Sequence, residues 1–176
     1  MLRVMERQEF DAVFSIMKES FPVDEYRPYE EQRALLDRAA YRVYLWEHTE
    51  NPKDETIKAF ISVWQFEDFA YIEHFAVNPI YRNQGYGAFI LREIKKLLSC
   101  PICLEVELPE TDMAKRRIAF YERNGFFLNK YDYIQPPMSK GKNPVPLLVM
   151  TSGGKVSAKR FDEIKKCLYR EVYKKK

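Results

Sequence analysis

The sequence predicts an α/β protein with a mixed sheet, and three observations carry that expectation. Residues 41 to 77 hold three successive runs rich in β-branched and aromatic side chains, the composition of strands. A glycine-marked turn, Gly85-Tyr86-Gly87, follows the third run and opens an apolar stripe at helical spacing. Beyond it, strand and helix patterns alternate through the rest of the chain.

Taken in order, Leu2 to Met5 reads as a short first strand. From Glu9 to Ser20, Phe10, Val13, Phe14 and Met17 recur at helical spacing, and Pro22 stops that helix. A second helix is expected over Glu30 to Ala40, with Leu35, Leu36 and Ala39 on one face. Between the two lies SFPVDEYRPYE, a Pro- and Tyr-rich loop of the kind that lines ligand sites. The strands Tyr41 to His48, Ile57 to Phe66 and Ala70 to Val77 are separated by the turn-forming NPKDET and by Glu67-Asp68. Gly85 to Leu98 aligns Gly87, Ile90, Leu91, Ile94, Leu97 and Leu98 as a helical stripe. In the strand Ile102 to Leu108, Ile102, Leu104, Val106 and Leu108 alternate with Cys103, Glu105 and Glu107. A helix from Asp112 to Arg123 is capped by Thr111 or Asp112 and stopped by Asn124-Gly125. Phe126 to Ile134 and Val145 to Thr151 are the last strands, joined by QPPMSKGKNPVP. Ser157 to Tyr173 is an amphipathic helix through Phe161, Ile164, Leu168 and Val172.

Composition bounds the function classes. The 176 residues suit one domain, with 46% apolar content that argues against disorder. Lys+Arg number 29 and Asp+Glu 26, a net charge of +3 that is too small for a general nucleic-acid binder. That sum hides an asymmetry, because Lys155 to Lys176 alone carries nine Lys+Arg against three Asp+Glu, and the rest of the chain is acidic. The apolar runs are far shorter than the roughly 20 residues of a membrane-spanning helix, and MLRVMERQEF lacks a signal-peptide core, so a cytoplasmic protein without membrane partners is expected. Cys100, Cys103 and Cys167 form an odd set that fits a reducing compartment. Cys100 and Cys103 have redox spacing but would end a helix and begin a strand, the reverse of a thiol activated at a helix N-terminus. With only Cys167, His48 and His74 left as ligands, no metal site is expected. Both histidines read as structural.

The glycine turn points to an anion. Gly85 and Gly87 would start a helix whose first N–H groups lack intrahelical partners, and Arg82 adds a cation. A Walker loop is excluded because no GxxxxGK string is present. A dinucleotide turn fits poorly, although Glu105 lies 20 residues past Gly85: Ile90 holds the third glycine position, and seven residues separate the strand from Gly85.

Val77-x-Pro79 followed by Arg82-Asn83-Gln84-Gly85-Tyr86-Gly87-Ala88 resembles the acetyl-CoA-binding signature of the GNAT family of N-acetyltransferases, (Gln/Arg)-x-x-Gly-x-(Gly/Ala). A second family signature is matched by Ala119-Phe120-Tyr121-Glu122-Arg123-Asn124-Gly125-Phe126, in family order and with a strand between the two. The resemblance covers residues 1 to 152, which are expected to form a single acetyltransferase domain. It implies a mostly antiparallel sheet splayed in its middle and flanked by helices. Residues 153 to 176 would add a basic C-terminal helix packed on that domain or on a partner, which leaves a homodimer open.

The resemblance also implies roles. Pantetheine of acetyl-CoA would pair with the backbone of Phe75, Ala76 and Val77, and its pyrophosphate would sit on the N–H groups of Arg82, Asn83, Gln84, Gly85, Tyr86, Gly87 and Ala88. Tyr121 matches the general acid for the leaving thiolate, and Glu73 matches a carboxylate that would take the amine proton. Strand parity sets Glu73 on the face of Tyr71, Phe75 and Val77 and turns His74 the other way. The oxyanion would be met by a backbone N–H near Val77. Many relatives carry Asn seven residues before the helix tyrosine, where this chain has Ala114.

The acceptor site of the family lies between loops that correspond to Phe21 to Glu31 and Gln135 to Pro146. With Glu105, Glu107, Glu110 and Asp112 crowded into eleven residues without a base, the expected acceptor is a cationic amine of a small molecule or peptide, held by Glu105, Glu107 and Tyr26. The rival function is a non-catalytic CoA-binding or regulatory module on the same fold.

Overall fold

The computed structural model describes residues 2–46 and 57–175. The chain forms two compact units, Met1–Pro22 with Pro28–Cys100, and Val23–Arg27 with Pro101–Lys176.

In the first unit, strands β1 (Leu2–Val4), β2 (Tyr41–Trp46), β3 (Ala59–Gln65) and β4 (Ala70–Val77) pair antiparallel in that order. Helix α1 (Phe10–Ser20) buries Phe10, Val13, Phe14, Ile16 and Met17, the apolar face legible from its spacing. A capping box precedes it, in which the Glu9 carboxylate accepts the Glu6 N–H at 2.7 Å. The chain leaves the helix at Phe21, already extended ahead of Pro22. Helix α3 (Tyr86–Leu98) buries Ile90, Leu91, Ile94 and Leu98.

The second expected helix is shorter than its pattern. Helix α2 (Tyr29–Ala34) passes into a single 3-10 turn over Leu35–Asp37 and stops. Arg38 is extended, Tyr41 N–H donates to Arg38 O at 3.1 Å and Gln65 N–H to Ala40 O at 2.8 Å, so residues 38 to 40 already lead into the sheet. Strand β2 is described as far as Trp46; His48 and the NPKDET turn lie outside the described residues.

Strands β3 and β4 slip by one residue. Ser62 opposes His74 and Val63 opposes Ile72, which leaves Glu73 as an extra residue on β4. This is a β-bulge, the device that re-aims side chains from a strand.

In the second unit, β5 (Ile102–Glu107) and β6 (Phe126–Gln135) both pair antiparallel with β7 (Val145–Ser152). Helix α4 (Asp112–Arg123) is capped by Thr111, whose Oγ1 accepts the Ala114 N–H at 3.1 Å, and it ends at Asn124 before the left-handed Gly125. Helix α5 (Ala158–Cys167) is capped by Ser157 and widens into one π turn over Leu168–Val172. It packs on β6, with the Phe161 and Tyr131 rings 4.7 Å apart.

Candidate active site

In the first unit, β4 feeds the glycine turn. Asn78 caps the short turn Pro79–Tyr81, and the Arg82 guanidinium donates from Nε to Val77 O at 3.0 Å, tying the loop to the strand end. Asn83 (φ 63°) and Gly85 (φ 79°) are both left-handed, and α3 begins immediately after. Such alternation turns successive N–H groups toward one point, a concavity suited to an anion. Nothing lies within 4 Å of where a Gly85 side chain would start, so the turn faces open space. Asn83, Gln84, Gly85 and Ala88 are exposed, and Tyr86 and Gly87 half-buried. The helix is long enough to add its dipole to the N–H groups of Tyr86, Gly87 and Ala88. These residues fit a pyrophosphate. Phe75 and Val77 are half-buried, and Ala76 is buried.

The bulge changes the expected parity around Glu73. Its carboxylate is enclosed, and Oε2 lies 3.6 Å from His74 Nδ1, with both side chains 1% exposed or less. The two neighbours therefore meet, where an unbroken strand would hold them on opposite faces. His74 is packed as expected, with the Phe21 ring edge-on at 4.9 Å.

In the second unit, Tyr121 is buried on α4, its ring 5.7 Å from that of Phe126. Burial pushes its phenol up to about 12, against a weaker opposing pull from Arg117. Ala114 lines a cavity of about 280 Å³ with Glu107, Leu108, Glu110, Thr111 and Pro146.

Glu105 and Glu107 meet different partners. The Glu105 carboxylate accepts the hydroxyls of Tyr133 and Tyr173, the latter at 2.8 Å from each oxygen. Glu107 lies 3.4 Å from the Arg117 guanidinium. Cys103 is buried, and burial raises its thiol well above the usual range; burial also raises that of Cys100, the opposite of redox activation.

The segment Val23–Arg27 belongs to this unit. Asp24 accepts the Asn143 N–H at 2.9 Å and its side-chain amide at 3.1 Å, which holds its carboxyl below the usual range. Gln135 donates to Asp24 O at 3.2 Å, and Lys142 Nζ sits 4.8 Å over the Tyr26 ring. The two loops expected to frame the acceptor thus meet. Sequence reading missed Glu25, whose carboxyl rises to about 7 through burial and then the nearby Glu107, opposed by Arg117. Its only signal was membership of the Pro- and Tyr-rich loop.

Among the described residues there is no group of three His, Cys, Asp or Glu side chains placed to hold a metal, and no helix long and apolar enough to cross a membrane.

The fold class is that of the GNAT acetyltransferases, a mixed and mostly antiparallel sheet flanked by helices. Residues 10–126 match the model of the acetyltransferase (GNAT) family, and the chain belongs to that family of enzymes. A solved structure from Bacteroides thetaiotaomicron, described as a GNAT-family acetyltransferase, is 37% identical over 100% of this chain and 99% of its own, with a TM-score of 0.89. The protein YjbC of Bacillus subtilis (strain 168) is 28% identical over 112 residues, 62% of this chain and 54% of that protein, so the match spans about half of YjbC. A variant of the Vibrio cholerae spermidine N-acetyltransferase SpeG shares the fold at 15% identity, with 86% and 94% of the two chains covered and a TM-score of 0.62. So does the ribosomal-protein-alanine N-acetyltransferase of Brucella melitensis, at 15% identity, 86% and 98% coverage and a TM-score of 0.63.

Proposed function

We propose that the protein transfers the acetyl group of acetyl-CoA to a primary amine that approaches as a cation. The observation that carries this reading is the turn Arg82 to Ala88, where two left-handed residues precede a helix start and open space lies over Gly85. In this reading Arg82, Asn83, Gln84, Gly85, Tyr86, Gly87 and Ala88 hold the pyrophosphate, and the backbone of Phe75, Ala76 and Val77 orients the pantetheine arm. Bound acetyl-CoA supplies an activated thioester carbonyl.

Two side chains manage protons. Glu73 takes the amine proton through water, since its carboxylate is enclosed while its backbone is partly exposed. Tyr121, raised to about 12, stays protonated through neutral and alkaline pH. A thiol near pKa 8.5 is the stronger acid, so the phenol acts mainly by hydrogen-bonding the sulfur as its charge develops. Glu107 and Tyr26 face the amine, with Glu25 beside Glu107, and Glu105 supports them through Tyr133 and Tyr173.

The test is a panel of cationic, neutral and anionic amines assayed by CoA release. Cationic amines are expected to turn over fastest, and Tyr121→Phe to lower kcat roughly 10- to 100-fold with CoA affinity unchanged. Equal turnover by the variant, or preference for anionic amines, refutes the assignment.

A further inference from the structure

We propose that His74 is a positioning residue that receives and holds the proton taken up by Glu73, so that the two side chains work as one proton-accepting pair. The proposal rests on the acetyl-transfer reading and adds a residue to it. It starts from the bulge, because without the extra residue on β4 the two side chains would lie on opposite faces.

Ser62 bears on the His74 ring. Its Oγ accepts the His74 backbone N–H at 3.0 Å and lies 3.4 Å from Nδ1, so in the tautomer with Nδ1 unprotonated the hydroxyl donates to that nitrogen. A ring nitrogen that accepts from Ser62 is the unprotonated one of a neutral imidazole. That same Nδ1 lies 3.6 Å from Glu73 Oε2. On taking a proton, Nδ1 changes from an acceptor for Ser62 to a donor toward Glu73.

Around His74, strand β3 contributes Ser62 and the end of α1 contributes Phe21. The faces that α1 and α3 bury consist of apolar side chains. Enclosed as it is, the Glu73 carboxylate is a costly charge; taking up one proton makes the pair neutral, and His74 offers that proton a second place to rest.

The proton path balances. The ammonium first loses one proton to solvent; the neutral nitrogen then forms the C–N bond and loses a second proton through water to Glu73, which passes a proton from Oε2 to His74 Nδ1. The C–S bond breaks, and the sulfur leaves as a thiolate hydrogen-bonded by the Tyr121 hydroxyl and takes one proton from solvent. As products depart, the pair gives its proton back to solvent.

The experiment has a kinetic and a spectroscopic arm. In the first, kcat/KM for the amine is followed from about pH 5 to about pH 9 in wild type, H74Q and E73Q. H74Q is expected to lose roughly tenfold in kcat and to displace the acid limb by about one pH unit, with the acetyl-CoA KM within about twofold of wild type. In the second, the imidazole resonances are titrated by NMR, with the His48 signal identified through H48Q. E73Q removes a neighbouring anion and should lower the His74 titration; S62A removes a donor to the neutral ring and should raise it. This arm needs no H74 variant to fold. An active wild type with an unmoved limb in H74Q, or a His74 titration indifferent to E73Q, overturns the relay alone. A wild type that acetylates no amine overturns the function and the relay together.

Discussion

Glu25 carries a carboxyl raised to about 7, so the folded protein disfavours its charge relative to the unfolded chain. The sign follows: the protonated form costs nothing extra below about pH 4.5, and stability is lost as pH rises from there through about 7. Glu25→Gln should therefore raise the melting temperature at about pH 8 and change it little at about pH 4, with a ceiling of about 3 kcal/mol. Thermal melts at the two pH values check it, and equal effects at both would contradict the assignment. This residue also shows where sequence reading stops. Tyr121 and Glu73 stand out as candidates in the sequence because each sits in a patterned stretch, the helix signature and the strand before the glycine turn. Glu25 acquires its raised carboxyl from burial and then from Glu107, against Arg117, both more than 80 positions away, and no local pattern records such a meeting. The contact between Glu73 and His74 was hidden for a second reason: strand parity assumes an unbroken ladder, and a bulge breaks it.

The element that best shows how irregularity is held is β6. Between Asn129 and Tyr133 its register against β7 shifts, and the buried Asn129 side chain bridges the break. Its amide donates to Val149 O at 3.2 Å and Thr151 Oγ1 at 2.9 Å, and its carbonyl accepts the Val156 N–H at 2.9 Å. Asn129→Ala strands several buried polar groups, and is expected to cost about 2 to 4 kcal/mol in urea unfolding with an unchanged m-value. Strand β4 and helix α4 matched their sequence patterns end to end, because apolar spacing, caps and stop residues agreed there. The helix after the Pro- and Tyr-rich loop fell short of its pattern. Leu35, Leu36 and Ala39 share a helical face in sequence, but the pull of the sheet on residues 38 to 40 prevailed. The C-terminal helix was recognised as amphipathic, and what its apolar face covers became visible only in three dimensions: β6 through Phe161 and Tyr131.

For the whole molecule, ligand binding and folding are linked. A ligand that binds only the folded chain stabilises it by about 2.7 kcal/mol at 100 times its Kd, so saturating CoA should raise the melting temperature. Gly85→Val should remove most of that rise, because a β-branched side chain at φ 79° is strained and would occupy the open space before α3. A full thermal shift in this variant would mean that CoA binds elsewhere. The segment Val23–Arg27 bears on how the chain reaches its fold. It completes the second unit from far upstream, with Asp24 bonded to Asn143 across 119 positions and the Arg27 guanidinium to Val172 O across 145. Ordering it closes very long loops, whose entropy is lost before the contacts return any stability. In a refolding time course, amide protection around Asn143 should lag behind that of the α4 interior. A protein cut at residue 100 should recover the second unit's native melting only when the upstream fragment is added back.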